Sequence, residues 1–193
     1  MKSPIGFIVT PVNDTRYDNV KKIGDVDFIT SSSKEDHTVS NRFANVVATP
    51  LNYDGDVNVG DILVVHHNVF KYYNDMKGRE KSGRSFLKDN LFIVEPTQFF
   101  MYKQDGKWKS HLDYCFVKPS GKEESVIFNK DKYQALTGTI EITNPELTSL
   151  GVKTGDKVCF KPESEYEFKI DDKTLYRMKS KNITMMLWVE KLN

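Results

Sequence analysis

The pattern Val-x-x-Gly-Asp followed by an apolar run occurs twice in this chain. The first occurrence is Val57-Asn58-Val59-Gly60-Asp61-Ile62-Leu63-Val64-Val65, the second Val152-Lys153-Thr154-Gly155-Asp156-Lys157-Val158-Cys159-Phe160. Glycine accepts positive φ, and an aspartate side chain can bond its own backbone, so each motif reads as a tight turn feeding a strand. Gly-Asp before a strand is common in β proteins and by itself says little. Here two further landmarks recur around it in the same order. Upstream, Gly6-Phe7-Ile8-Val9-Thr10-Pro11 parallels Tyr114-Cys115-Phe116-Val117-Lys118-Pro119, each a strand ended by proline. Downstream, Leu91 to Tyr102 parallels Leu175 to Met186, each a strand, a four-residue polar turn and a second strand. A recurring set of landmarks points to consecutive copies of one module.

The module is a β structure. Apolar and β-branched residues come in short bursts bounded by Gly, Pro, Asn and Asp, such as Ile62-Leu63-Val64-Val65 and Met185-Met186-Leu187-Trp188-Val189. No window of a dozen residues keeps a 3.6-residue period. Asn144-Pro145-Glu146-Leu147-Thr148-Ser149-Leu150 is the best exception, a single helical turn opened by proline. Many short strands with turns between them predict a barrel or sandwich. The chain divides at the polar stretch Lys103 to Asp113, giving residues 1–108 and 109–193. The copies share strands and differ in loop length, where insertions are tolerated.

Strand-Pro, a polar loop, a strand, Val-x-x-Gly-Asp-strand, a hairpin and an apolar terminal pair together resemble the GroES co-chaperonin family. The second copy carries the closer likeness. Val152-Lys153-Thr154-Gly155-Asp156-Lys157-Val158-Cys159-Phe160 is similar to the family's Val-Lys-x-Gly-Asp-x-Val-x-Phe. Lys169-Ile170-Asp171 through Leu175-Tyr176-Arg177-Met178 resembles its Lys-Ile-Asp-x-x-x-x-Leu-x-Met. The resemblance implies two tandem irregular β-barrels, a tandem form of a family that also has diverged bacteriophage members. It implies a homo-oligomeric ring that caps a GroEL-like chaperonin and helps client proteins fold. It also implies a long loop after the first strand of each barrel, carrying a short apolar anchor for the chaperonin. In the first copy that position falls in Asn13 to Asn41, with Val26, Phe28 and Ile29 as anchors. The same residues read equally as an ordinary strand, with Val26 and Phe28 on one face. In the second copy the position falls in Ser120 to Leu136, where Val126, Ile127 and Phe128 form an apolar triplet among polar residues, or a short core strand. The family's roof hairpin before Val-x-x-Gly-Asp looks shortened in both copies. The segment His66 to Phe86 has no counterpart in the second copy.

Catalysis is not expected. No Gly-x-Ser-x-Gly, P-loop or His-Glu-x-x-His occurs. His66 and His67 are adjacent, and on a strand they would point to opposite faces, a poor arrangement for a shared metal. No cofactor is implied. The 28 basic and 27 acidic residues balance to a net +1, which gives no electrostatic reason for a nucleic-acid or membrane partner. Phe70, Tyr72 and Tyr73 beside lysines leave a weaker reading as a single-stranded nucleic-acid binder. Cys115 and Cys159 sit in apolar runs and read as buried free thiols. No membrane-length apolar stretch and no secretory signal is read, so a cytoplasmic protein is expected, in the host cytoplasm if phage-encoded. The alternative function is structural: a barrel reused in an assembly such as a phage virion, without chaperonin binding.

Overall fold

A computed structural model of the chain describes residues 2–17, 39–120 and 136–187, together with the backbone of 20–23 and 26–29. The fold is all-β. The first strands are β1 (Phe7–Pro11), β2 (Val20–Ile23), β3 (Val26–Ile29), β4 (Phe43–Ala48), β5 (Ile62–Val65) and β6 (Tyr72–Asn74). They are followed by β7 (Glu80–Ser82), β8 (Phe86–Lys88), β9 (Leu91–Val94), β10 (Phe99–Gln104) and β11 (Lys107–Ser110). The remainder are β12 (Tyr114–Pro119), β13 (Thr137–Ile142), β14 (Lys157–Phe160), β15 (Tyr166–Ile170), β16 (Lys173–Lys179) and β17 (Ile183–Leu187). A short helix, α1 (Pro145–Ser149), interrupts them. The chain forms two compact units, Met1–Lys107 and Trp108–Asn193.

The two large sheets have one plan. The first runs β11-β10-β5-β4-β1-β9-β8 and the second β17-β14-β13-β12-β16-β15. From β10 onward the first order matches the second strand for strand. The match extends to single residues. β1 meets β4 through Ile8↔Ala48 and Val9↔Val46, so the register slips between Ile8 and Val9. β12 meets β13 through Phe116↔Ile142 and Val117↔Ile140, with the slip between Phe116 and Val117. A bulge adds twist and bends its strand, so the same bend sits at the same place twice.

The Gly-Asp turns also coincide. Gly60 has φ +94° and Gly155 +95°. Gly60 N–H donates to Val46 O (2.9 Å), and Gly155 N–H donates to Ile140 O (2.8 Å). The following aspartate closes each turn: Asp61 Oδ2 accepts from Asn58 N–H (2.8 Å) and Asp156 Oδ2 from Lys153 N–H (2.7 Å). Val57 and Val152, which open the two motifs, are buried.

Alternating strand positions supply each core. Phe7, Val9, Val46, Leu63, Val65, Phe92, Val94 and Phe99 pack together in the first unit, where Phe7 lies edge-on to Phe99 at 5.4 Å. Cys115, Val117, Ile140, Val158, Phe160 and Met178 pack together in the second. Fully burying a side chain of this size contributes about 1.5–3 kcal/mol, so each cluster is the main source of its unit's stability.

Neither large sheet closes by hydrogen bonding among the described residues. One ends at β11 and β8, the other at β15 and β17. The connection expected to lack a roof hairpin is a loop between β4 and β5, and in the second unit it contains α1. Asn144 caps that helix. Its Oδ1 accepts from Leu147 N–H (2.8 Å), while its buried Nδ2 donates to Tyr114 O (2.9 Å) and Ser180 Oγ (2.7 Å).

The copies differ most at one edge. β10 is buried at Phe99, Phe100, Met101 and Tyr102, and β11 pairs along its outer side. Its counterpart β17 is the last strand of its sheet, and Met185 and Leu187 are 59% and 38% exposed.

Candidate functional site

In both units a long segment, here called the arm, joins the proline-ended strand to the next strand of the sheet, residues 12–42 in the first unit and 120–136 in the second. In the first unit this arm contains a hairpin. β2 and β3 pair through Val20↔Ile29, Lys21↔Phe28, Lys22↔Asp27 and Ile23↔Val26. The anchor candidates Val26, Phe28 and Ile29 thus lie on β3, and the backbone there is strand. In the second unit Val126, Ile127 and Phe128 lie outside the described residues.

The roots of both arms are tied. In the second unit Ser120 N–H donates to Thr137 O (3.1 Å). In the first, the buried Asn41 side chain spans the corresponding gap. Its Nδ2 donates to Val12 O (2.9 Å) and Thr15 O (2.7 Å), and its Oδ1 accepts from Phe43 N–H (2.9 Å). Asn41 N–H donates to Arg16 O (2.9 Å), and Tyr17 bridges Ser40.

The first root carries a cluster that the second lacks. The Arg16 guanidinium lies 4.1 Å from the Tyr72 ring centre, 4.7 Å from Phe92 and 4.9 Å from Phe86. Its Nη1 donates to Ser82 Oγ (3.0 Å). Tyr17 and Tyr72 stack at 6.1 Å, Tyr72 N–H donates to the Tyr17 hydroxyl (2.9 Å), and Ser40 Oγ–H donates to His67 O (2.8 Å). A cation against ring faces is attracted by their quadrupoles, and partial desolvation strengthens the pull. The segment 66–86, whose role its composition does not reveal, is therefore bound to both ends of the arm. Arg16 gave no signal in the sequence, because its partners lie 56 to 76 residues further along the chain.

Several sequence expectations need correction here. His66 and His67 do not sit on opposite faces of a strand. They follow β5 in a turn, and their rings lie 4.1 Å apart. Among the described residues no three His, Cys, Asp or Glu side chains converge as a metal site requires. Phe70 and Tyr72 do not form an open stacking surface: Phe70 is fully buried in the core and Tyr72 is held by Arg16 and Tyr17. Cys159 is only half-buried, not sealed in the core. Cys115 is, and burial pushes its thiol up to about 12, with the Asp113 charge adding to the effect. It therefore stays protonated and inert at ordinary pH. No helix among the described residues is long and apolar enough to cross a membrane.

No known protein-family model matches the chain, and no curated protein matches it in sequence.

Proposed function

We propose that the chain is a co-chaperonin of the GroES type, built as two tandem irregular β-barrels, that assembles into a ring and caps a chaperonin through its arms. One observation carries the reading. A long connecting segment with a tied root follows the same bulged strand in each unit, at the position where the resembled family carries its docking loop. A segment of this kind binds weakly at each site because ordering it costs entropy, and a ring that presents several at once recovers affinity by avidity. The open, partly apolar edge at β17 supports assembly between copies. The protein would supply shape and contact, and the nucleotide chemistry would be the partner's.

The test is co-elution with the chaperonin of the same source in the presence of nucleotide. A nucleotide-dependent complex, lost on Phe28→Asp combined with Ile127→Asp, supports the reading. A well-folded ring that forms no complex turns it to the structural alternative, in which the barrel serves an assembly such as a virion.

A further inference from the structure

The first unit carries a second hairpin whose base adjoins the root of its arm. β6 and β7 pair through Tyr72↔Ser82, Tyr73↔Lys81 and Asn74↔Glu80. The turn between them is fixed by its own side chains. Asp75 Oδ1 accepts from Lys77 N–H (2.8 Å) and from Arg79 N–H (2.9 Å), and Asp75 Oδ2 takes the Arg79 Nε–H at 3.2 Å. Asp75 N–H donates to Arg79 O, Gly78 N–H donates to Asp75 O, and Gly78 adopts φ +72°. The tip therefore holds its shape before any partner arrives.

That rigid turn presents Met76, which is 106% exposed and touches nothing that would hide it. Tyr73, on β6, is 51% exposed. Folding gains nothing from leaving a methionine there, since its burial would stabilise the chain and its exposure does not. An unbranched, polarisable side chain at a fixed tip is suited to filling an apolar depression on another molecule. The surroundings are basic. Residues 71–88 hold six basic side chains and two acidic ones, a local net of +4, against +1 for the whole chain. One of the two acids, Asp75, is committed to the turn.

The root ties this tip to the arm. Arg16 binds Ser82 and Tyr72, Tyr17 binds Tyr72, and Ser40 binds His67 O, so both ends of the arm are fastened to the base of the hairpin. The base of the hairpin therefore stays beside the base of the arm.

We propose that the β6–β7 hairpin is a second contact with the protein that the arm engages, Met76 entering an apolar depression ringed by carboxylates. This rests on the chaperonin reading above. A protein surface fits better than nucleic acid, because Phe70 and Tyr72 are committed to packing and only Tyr73 is left for stacking. The preformed tip needs little ordering on binding, and its charges act chiefly on the rate of encounter.

The test uses the full-length protein and the purified chaperonin of the same source with nucleotide, with on- and off-rates read at low and moderate salt. Met76→Asp is expected to raise the off-rate at least tenfold. Lys77→Glu with Lys81→Glu is expected to slow association several-fold and flatten its salt dependence. All three positions are exposed, so near-UV circular dichroism should be unchanged. Wild-type rates for these variants, with binding lost only on Phe28→Asp, overturn the hairpin contact and leave the chaperonin reading standing. No binding by the wild-type ring overturns both. Binding of a single-stranded oligonucleotide that Met76→Asp abolishes also overturns the proposal and assigns the tip to nucleic acid.

Discussion

Gly60 and Gly155 hold nearly the same φ, and a Cβ added at either would meet nothing within 4 Å. Substitution there tests backbone strain alone. Gly155→Ala is expected to cost about 1–2 kcal/mol, the usual penalty of the left-handed region for an L-residue, and Gly60→Ala about the same. Equilibrium denaturation read on each variant checks this, and equal losses follow from the equal geometry. The turn residues were legible because a Gly-Asp pair has a local reason to exist. Arg16, Asn41 and Tyr72 were not, because each is explained by a contact far along the chain. Asn41 looked like one more polar residue at the end of a polar loop, and its two carbonyl partners, Val12 and Thr15, lie more than twenty residues upstream.

At the scale of elements, strands with apolar alternation could be read directly, and α1 announced itself through Asn144-Pro145. β6 and β7 could not be read. They are three residues long, largely polar, and held by Arg16 and an Asp75 turn instead of by a buried face. Their stability should therefore depend on acid. The backbone bond from Arg79 is the main reason that Asp75 sits below its ordinary value, helped by Lys77 N–H and the Arg79 side chain. A carboxyl depressed in the folded state contributes its stabilisation above the ordinary carboxylate range and loses it as pH falls through the depressed value. Amide exchange at Lys77 and Arg79 should be slow at neutral pH relative to unstructured residues, and that protection should vanish in acid while the core strands hold theirs. Strand β13 offers a packing test. Gly138 faces Pro119 across the pair, and a Cβ there would collide with Val117 Cγ1 and, at 2.6 Å, with Lys118 O. At the equivalent position of β4 the first unit has a fully buried Ala44. Gly138→Ala is expected to cost about 1–3 kcal/mol through overpacking, seen as a lowered denaturation midpoint, although the sister strand carries that residue.

For the whole molecule, the strand order, bulge and Gly-Asp turn appear twice, while arm, hairpin and outer edge differ. The strand plan left a trace in the sequence because a buried face restricts residue type at every second position. The β6–β7 hairpin left none, because exposed tips and loop roots accept many sequences. The differing edge carries an assembly prediction. β17 has an unpaired outer side among the described residues, and exposed edges invite pairing with another chain. Met185→Lys and Leu187→Lys each place a charge on the exposed strand. Sedimentation velocity should show each variant shifted toward the single chain, with circular dichroism unchanged. Assembly between copies that survives both substitutions would mean that it uses another surface.

The tied root of the second arm has a practical side. Ser120 N–H and Thr137 O close the ends of β12 and β13 with a backbone bond, so the sheet is fastened by its own strands up to that point. Loop-closure entropy rises by only about 0.6 kcal/mol for each doubling of length. The root is therefore a grafting port. A foreign peptide inserted between those two residues would be displayed at a fixed exit, without redesign of the scaffold.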